Sequence, residues 1–279
     1  MILNDFYINE IITNALKEDI NYIDCATDYL IPTEQISEGY FMAKADGVVC
    51  GIDIAMRVFT MLDSDFKFIL HKKDGDAVKY GDIIAEFSGH TALLLKGERT
   101  ALNLIQHMSG IATMTNRFVK EVEHTSAQIT DTRKTLPGLR ALQKYAVTVG
   151  GGKNHRFNLS DAAMLKDNHI DAGGGITKAV TALKSKIGHT VKIEVETRNL
   201  DEVKEAITVG ADIIMLDNMD CDTMRKAVEM IGDKAVTEAS GGINMDTIKS
   251  VAECGVDIIS IGAITHSVTA FDISMIIKE

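Results

Sequence analysis

The 279-residue chain has no tryptophan, two prolines (Pro32 and Pro137) and four cysteines. Cys25, Cys50, Cys221 and Cys254 stand far apart, and no pair has the spacing of a zinc knuckle or a redox motif. A disulfide scaffold is thereby excluded, and the thiols read as reduced core residues of a cytoplasmic protein. No apolar run approaches the ~18 residues that a membrane span needs. Residues 1–21 carry acids and a single lysine, without the charged-then-apolar order of a secretory signal. Positive charge is also scarce: 29 Lys and Arg face 40 Asp and Glu, a net charge of −11. A general binder of nucleic acid or of anionic membrane is excluded, so any bound anion must meet a local basic patch.

What is present is the balance of a folded domain. Hydrophobic residues make up 46% and charged residues 25%, which excludes a disordered or collagen-like chain. The length suits one large domain or two modest ones, with a sizeable core. Residues 5–18 read as an amphipathic helix. Short, partly alternating apolar segments at 40–45, 48–50, 66–71 and 83–87 read as strands, with a helix between them at 52–62. From residue 91 to about 124 the pattern is helical, with Ser109-Gly110 as the expected break.

After residue 125 strands alternate with helices. The strands read as 128–131, 163–166, 191–195, 212–216, 235–239 and 257–261. From the third on they start about 21 to 23 residues apart, the length of one βα unit. Gly210-Ala-Asp-Ile-Ile214 recurs as Gly255-Val-Asp-Ile-Ile259, two units later. The strands are short apolar runs, as buried parallel strands are. Six of them fall short of an eight-stranded barrel, which leaves an open sheet or an incomplete barrel.

Polar residues and glycines gather at the carboxyl ends of these strands: Asp131 to Lys134, Lys166 to His169, Glu196, Asp217, Ser240 to Gly242, and Gly262. In parallel α/β folds those ends converge on one ligand-binding face. Residues 131–156 hold Arg133, Lys134, Arg140, Lys144, Lys153 and Arg156 against one acid, Asp131. Arg140 and Lys144 suit a solvated helix face. Arg133 and Arg156 suit an anion site, because arginine grips carboxylate or phosphate with two donors. Ser240-Gly-Gly-Ile243, before a helix expected near Asn244, and Gly262-Ala-Ile-Thr-His-Ser267 read either as tight turns or as loops offering N–H groups to one phosphate. Glu196 and Asp217 suit Mg²⁺ or the two hydroxyls of a ribose. Glu194 shares their face but lies deeper, and Glu196 is preferred. The histidines at 71, 90, 107, 124 and 189 suggest no role.

These stretches together resemble the quinolinate phosphoribosyltransferases. The resemblance rests on Asp131-Thr-Arg-Lys-Thr-Leu-Pro-Gly-Leu-Arg140, Lys144-Tyr-Ala-Val147, Gly150-Gly-Gly-Lys-Asn-His-Arg156 and Leu165-Lys-Asp-Asn-His-Ile170. Leu216-Asp-Asn218, Glu238-Ala-Ser-Gly-Gly-Ile243, Ser260-Ile-Gly262 and Gly97-Glu-Arg-Thr-Ala-Leu-Asn103 agree with it. It covers roughly residues 10–272, with Leu136 and Thr148 as departures.

The resemblance implies an α/β fold of two domains. An N-terminal α/β sandwich (1–108) precedes an incomplete, open α/β barrel of parallel strands (109–279), whose last residues pack back on the first domain. It implies a homodimer in which Arg99 of the partner subunit completes the site. The implied reaction joins quinolinate to phosphoribosyl pyrophosphate and yields nicotinate mononucleotide, pyrophosphate and CO₂ for NAD biosynthesis. Arg133, Arg156 and Arg99 of the partner subunit would hold the dicarboxylate, with Thr132, His155 and Lys166 beside them. Lys134 and Mg²⁺ would stabilise pyrophosphate. Glu196 and Asp217 would hold the ribose hydroxyls and the metal, directly or through water. Ser240, Gly241, Gly242, Gly262, Ala263, Ile264 and His266 would receive the 5′-phosphate. Arg133, Lys134, Lys166, Glu196 and Asp217 are the expected catalytic residues, and no organic cofactor is implied. A related transferase acting on another aromatic acid, a non-catalytic metabolite-binding module and an aldolase using Lys166 as a Schiff base remain the alternatives.

Overall fold

The computed structural model describes residues 3–20, 24 and 26–278. Cys25 lies outside the described residues. The chain forms two compact units that interleave in sequence: 1–116 with 135–151 and 267–279, and 117–134 with 152–266.

In the first unit an antiparallel sheet runs in the order Ile273–Ile277, Ile36–Ala43, Ile83–His90, Lys67–Leu70. A register shift between Phe41 and Met42 bends its second strand. Helix Ile52–Leu62 turns Ile52, Ile54, Ala55, Met56, Val58 and Phe59 inward. Phe41, Phe59, Phe66 and Phe87 meet there, with ring centroids 5.1–6.2 Å apart. The Asp74 carboxylate accepts from Gly51 N and Ile52 N at 2.9 and 3.0 Å, so a distant residue caps this helix. The expected first helix spans Asp5–Ile20, with Ile8, Ile12 and Leu16 buried at four-residue spacing.

Two expectations need correction here, and one element is additional. Helix Thr91–Val122 is continuous through Ser109-Gly110. Ser109 Oγ accepts from Cys50 N at 2.9 Å and donates to Cys50 O at 3.1 Å. A Cβ on Gly110 would lie 2.3 Å from Thr269 O, so this glycine answers to packing rather than to a turn. Lys144, expected on a solvated face, is fully buried within helix Arg140–Val149. That helix belongs to the first unit, and so do both departures: Leu136 is exposed, while Thr148 Oγ1 donates to Tyr145 O at 2.7 Å. The strand Ile273–Ile277 is one that sequence periodicity did not mark.

The second unit contains six parallel strands: β1 (Gln128–Thr130), β2 (Ala163–Leu165), β3 (Ile193–Thr197), β4 (Ile213–Asp217), β5 (Val236–Ser240) and β6 (Ile258–Ser260). All six expected strands are present, shifted by at most two residues. Their order is β1-β6-β5-β4-β3-β2. The last strand therefore closes on the first, and the gap falls between β1 and β2. Lys153 bridges the free edge of β1 at Thr130. The repeated Gly-x-Asp-Ile-Ile motif has a structural purpose. Asp212 accepts from Ile193 N, and Asp257 from Thr237 N, both at 2.8 Å. Each aspartate braces the neighbouring strand at its amino end, opposite the polar carboxyl ends.

Candidate active site

The carboxyl ends of all six strands line one cavity of about 490 Å³. Both edge strands contribute to it, so the sheet curls round far enough to enclose a pocket. Charge divides the pocket into two sides. The cations Arg133, Lys134, Arg156 and Lys166 come from β1, β2 and the segment between them, while Glu196, Asp217 and Glu238 come from β3, β4 and β5.

On the cationic side, the fully buried Asp131 follows β1 and organises the backbone. Its carboxylate accepts from His155 N at 2.9 Å and from Asn154 Nδ2 at 2.6 Å. With Lys153 bridging β1, these bonds hold residues 153–156 in the gap. Arg156 crosses toward β2, where Nη1 donates to Ala162 O at 2.9 Å and Nη2 lies 3.5 Å from Met164 Sδ. Burial, and then the neighbouring Arg133, lower the pKa of Arg156. Two guanidiniums drawn together in this way favour an anion between them. Lys134 N donates to Thr132 Oγ1 at 3.0 Å, and Lys134 O accepts from Thr265 Oγ1 at 2.9 Å. Gly262 leaves room for the lysine stem, since a Cβ there would lie 2.9 Å from Lys134 Cδ.

On the acidic side, Glu196 is raised above the ordinary carboxylate range by burial and then by Asp217. Lys166 Nζ stands 4.0 Å from Glu196 Oε2. Asn218 has φ 52° and donates Nδ2 to Asp217 Oδ2 at 2.8 Å. The β5 loop wraps this amide: Gly241 and Gly242 have φ of +93° and +62°, and a Cβ on Gly241 would lie 2.4 Å from Asn218 Oδ1. Only glycine meets both demands at 241. The helix expected near Asn244 runs over Ile248–Ala252, after a turn in which Asn244 Oδ1 accepts from Asp246 N at 2.9 Å.

Below the opening, His155 Nε2 lies 3.2 Å from Glu194 Oε2 and 3.3 Å from Glu238 Oε1. The ligand atoms of these three groups lie within 4.8 Å of one another, as do those of Asp63, Asp65 and His90 in the first unit. The latter group is a structural cap. Asp63 accepts from His90 N at 2.8 Å and from Asp65 N at 2.9 Å.

Of the residues expected at the site, the pocket gathers Thr132, Arg133, Lys134, His155, Arg156, Lys166, Glu196, Asp217, Ser240, Gly241 and Gly242. Gly262 and helix Ala263–His266 stand behind the Lys134 loop, with the Ile264 side chain fully buried. Arg99 is exposed on helix Thr91–Val122, in the first unit. Sequence reasoning gave no site role to Met164, Met215, Asn218, Glu238 and Ser260, which also line the pocket, although it noted Asn218 at the end of its strand. Four of these lie two residues before a recognised position, so strand alternation was the signal that pointed to them.

Residues 24–109 match the N-terminal domain of quinolinate phosphoribosyl transferase, and residues 111–276 match its C-terminal domain. The chain belongs to the quinolinate phosphoribosyl transferase family. A probable nicotinate-nucleotide pyrophosphorylase [carboxylating] of Bacillus subtilis is 45% identical over 273 residues, 98% of this chain and 94% of that relative. Another, from Methanocaldococcus jannaschii, is 42% identical over 278 residues, 96% of each chain. The crystal structure of NadC from Streptococcus pyogenes superposes with a TM-score of 0.95 at 41% identity, covering 99% of this chain and 97% of that one. As a quinolinate phosphoribosyl transferase, the chain has the expected fold class: a six-stranded parallel sheet, open between β1 and β2, and a separate antiparallel sheet. No helix among the described residues is long and apolar enough to cross a membrane.

Proposed function

We propose that this protein transfers the phosphoribosyl group of phosphoribosyl pyrophosphate to quinolinate with decarboxylation. The products are nicotinate mononucleotide, pyrophosphate and CO₂, for NAD biosynthesis. The observation that carries this reading is the two-sided charge of one pocket. Quinolinate has two adjacent carboxylates and suits the Arg133–Arg156 side, with Thr132, His155 and Lys166 at hand. The ribosyl carbon becomes positive as pyrophosphate leaves and suits the side of Glu196 and Asp217. Holding the dianion opposite that carbon aims the ring nitrogen at it, which is catalysis by positioning. Lys134 neutralises charge on the departing pyrophosphate. The loop from Ser240 to Gly242 takes the 5′-phosphate through backbone N–H groups, with Gly262, Ala263, Ile264 and His266 supporting it from the neighbouring loop.

Glu196 and Asp217 also fit Mg²⁺. They offer hard oxygen donors side by side, and the burial and mutual repulsion that raise Glu196 are relieved by a cation. Bound there, Mg²⁺ would supply charge neutralisation for pyrophosphate. A homodimer in which Arg99 of the partner subunit joins the cationic side is part of the same reading. The exposed position of Arg99 supports it. Cys50, Cys221 and Cys254 carry free thiols, which supports a cytoplasmic location. The test is direct: protein, quinolinate, phosphoribosyl pyrophosphate and Mg²⁺ should yield nicotinate mononucleotide and CO₂ in equal amounts. Absence of both products would refute the reading.

A further inference from the structure

The carboxylates of Glu194 and Glu238 take no part in the reaction proposed above, yet they lie beneath its pocket and converge on His155. We infer that His155, Glu194 and Glu238 form a binding site for a divalent transition-metal cation of the zinc type, separate from the pair Glu196 and Asp217 proposed for Mg²⁺.

Convergence is the first observation. Glu194 projects from β3, Glu238 from β5, and His155 from the segment held in the gap beside β1. Three separate stretches of chain thus bring one donor atom each to within 4.8 Å of the others. The second observation is that the oxygens are left over. Both oxygens of the fully buried Glu194, and Oε1 of Glu238, which is only 1% exposed, make no aligned hydrogen bond among the described residues. Such oxygens are costly to bury unless a cation meets them. The Asp63–Asp65–His90 group shows the contrast. Its spacing is similar, but the Asp63 oxygens accept the N–H groups of His90 and Asp65.

The distances select the ion. His155 Nε2 lies 3.2 Å from Glu194 Oε2 and 3.3 Å from Glu238 Oε1. A charge-assisted N–H···O bond is shorter, about 2.7–2.9 Å. Ligands bonded to a tetrahedral zinc at about 2.0–2.1 Å stand about 3.3–3.4 Å apart, close to these separations. One imidazole nitrogen with two carboxylates suits Zn²⁺ better than Mg²⁺ or Ca²⁺, which take oxygen donors throughout. Nδ1 accepts the Arg156 backbone N–H at 2.7 Å, which holds the ring with Nε2 toward the carboxylates. Charge agrees with this geometry. Burial opposes a charge on His155, but Glu194 and Glu238 outweigh it and raise its pKa to about 10, so the pair draws in positive charge. A proton there balances one carboxylate, whereas a divalent cation in its place balances two. Glu238 lines the pocket, which gives an ion its way in.

The test is zinc binding to the whole protein in excess Mg²⁺, without substrates, read by equilibrium dialysis and metal analysis. Wild type should hold one Zn²⁺ per chain, and its melting temperature should rise with zinc concentration. Glu194→Gln and Glu238→Gln should each weaken binding at least about 100-fold, since even outer contacts to a metal ligand are worth 10–100-fold. Asp217→Asn should keep the ion. The inference is overturned if wild type holds no zinc, if the two glutamine variants hold it as tightly as wild type, or if Asp217→Asn loses it. Should Glu194→Gln fail to fold, Glu238→Gln and His155→Gln carry the same comparison. No turnover is measured, so failure here leaves the proposed reaction standing.

Discussion

Replacing Gly241 by alanine tests how the phosphate loop and the acidic side of the pocket are joined. At φ +93° an L-residue costs about 1–2 kcal/mol. The new Cβ would start 2.4 Å from Asn218 Oδ1, so the Asn218 amide must swing away. That forfeits its 2.8 Å bond to Asp217, worth about 1 kcal/mol at this solvent-facing position. The sum, about 2–3 kcal/mol, corresponds to a fall of roughly 4–12 °C in melting temperature. The displaced loop should also raise KM for phosphoribosyl pyrophosphate at least tenfold, with quinolinate KM less affected. Asn218→Gly removes the obstructing side chain and itself accepts the left-handed backbone. In that background Gly241→Ala should cost only the φ strain, a coupling of about 1 kcal/mol in a double-mutant cycle. Thermal melting and steady-state kinetics on the four proteins measure this directly. Strict additivity, or no loss from Gly241→Ala alone, would refute the steric argument.

Arg133→Lys and Arg156→Lys keep the charge but lose the planar fork, and each should raise quinolinate KM about tenfold or more; unchanged kinetics would mark both as mere surface charges. A chelator should abolish turnover and added Mg²⁺ should restore it, whereas full activity in excess chelator removes the metal from the reaction. Mixing Arg99→Ala and Arg156→Ala proteins should recover up to about a quarter of wild-type activity if the site is shared across a two-fold dimer; no recovery after verified subunit exchange sinks the shared site. In the first unit, burial would raise the pKa of Asp63, but the N–H donors of His90 and Asp65 outweigh it and hold it below the ordinary 3.8. Its contribution is therefore present above that value and lost as pH falls through the folded-state pKa. Asp63→Asn should flatten the acid limb of stability, measured by denaturation from about pH 5 to pH 2.

Sequence alone reached the parallel strands because each is a short apolar run ending in polar or glycine residues, and both features are local. It reached Arg133, Lys166, Glu196 and Asp217 for the same reason. It did not reach Glu238 or Met215, whose importance depends on which strands become neighbours. Glu194 was set aside for lying deeper than Glu196, and depth is what makes it a partner of His155. Gly110 misled because a glycine's missing side chain looks the same in a turn and in a tight packing contact. Lys144 misled because helical spacing reveals a face but not what covers it. The division of the chain into units was hidden for a related reason: residues 135–151 lie between barrel elements in sequence, yet they join the first unit.

The gap between β1 and β2 has a consequence for how this barrel is held together. In a closed barrel every seam is sewn by backbone ladders that no ligand can alter. Here the suture across the gap is a side chain. The backbone of Arg156 is tethered to β1 through Lys153 and Asp131, while its guanidinium reaches the β2 side at Ala162 and Met164. The same residue lines the pocket, and on the proposed function its guanidinium would meet the substrate. On the proposed function, a dianion spanning Arg133 and Arg156 would add a tie across this gap, and the loss of one carboxylate as CO₂ would weaken that tie before the product leaves.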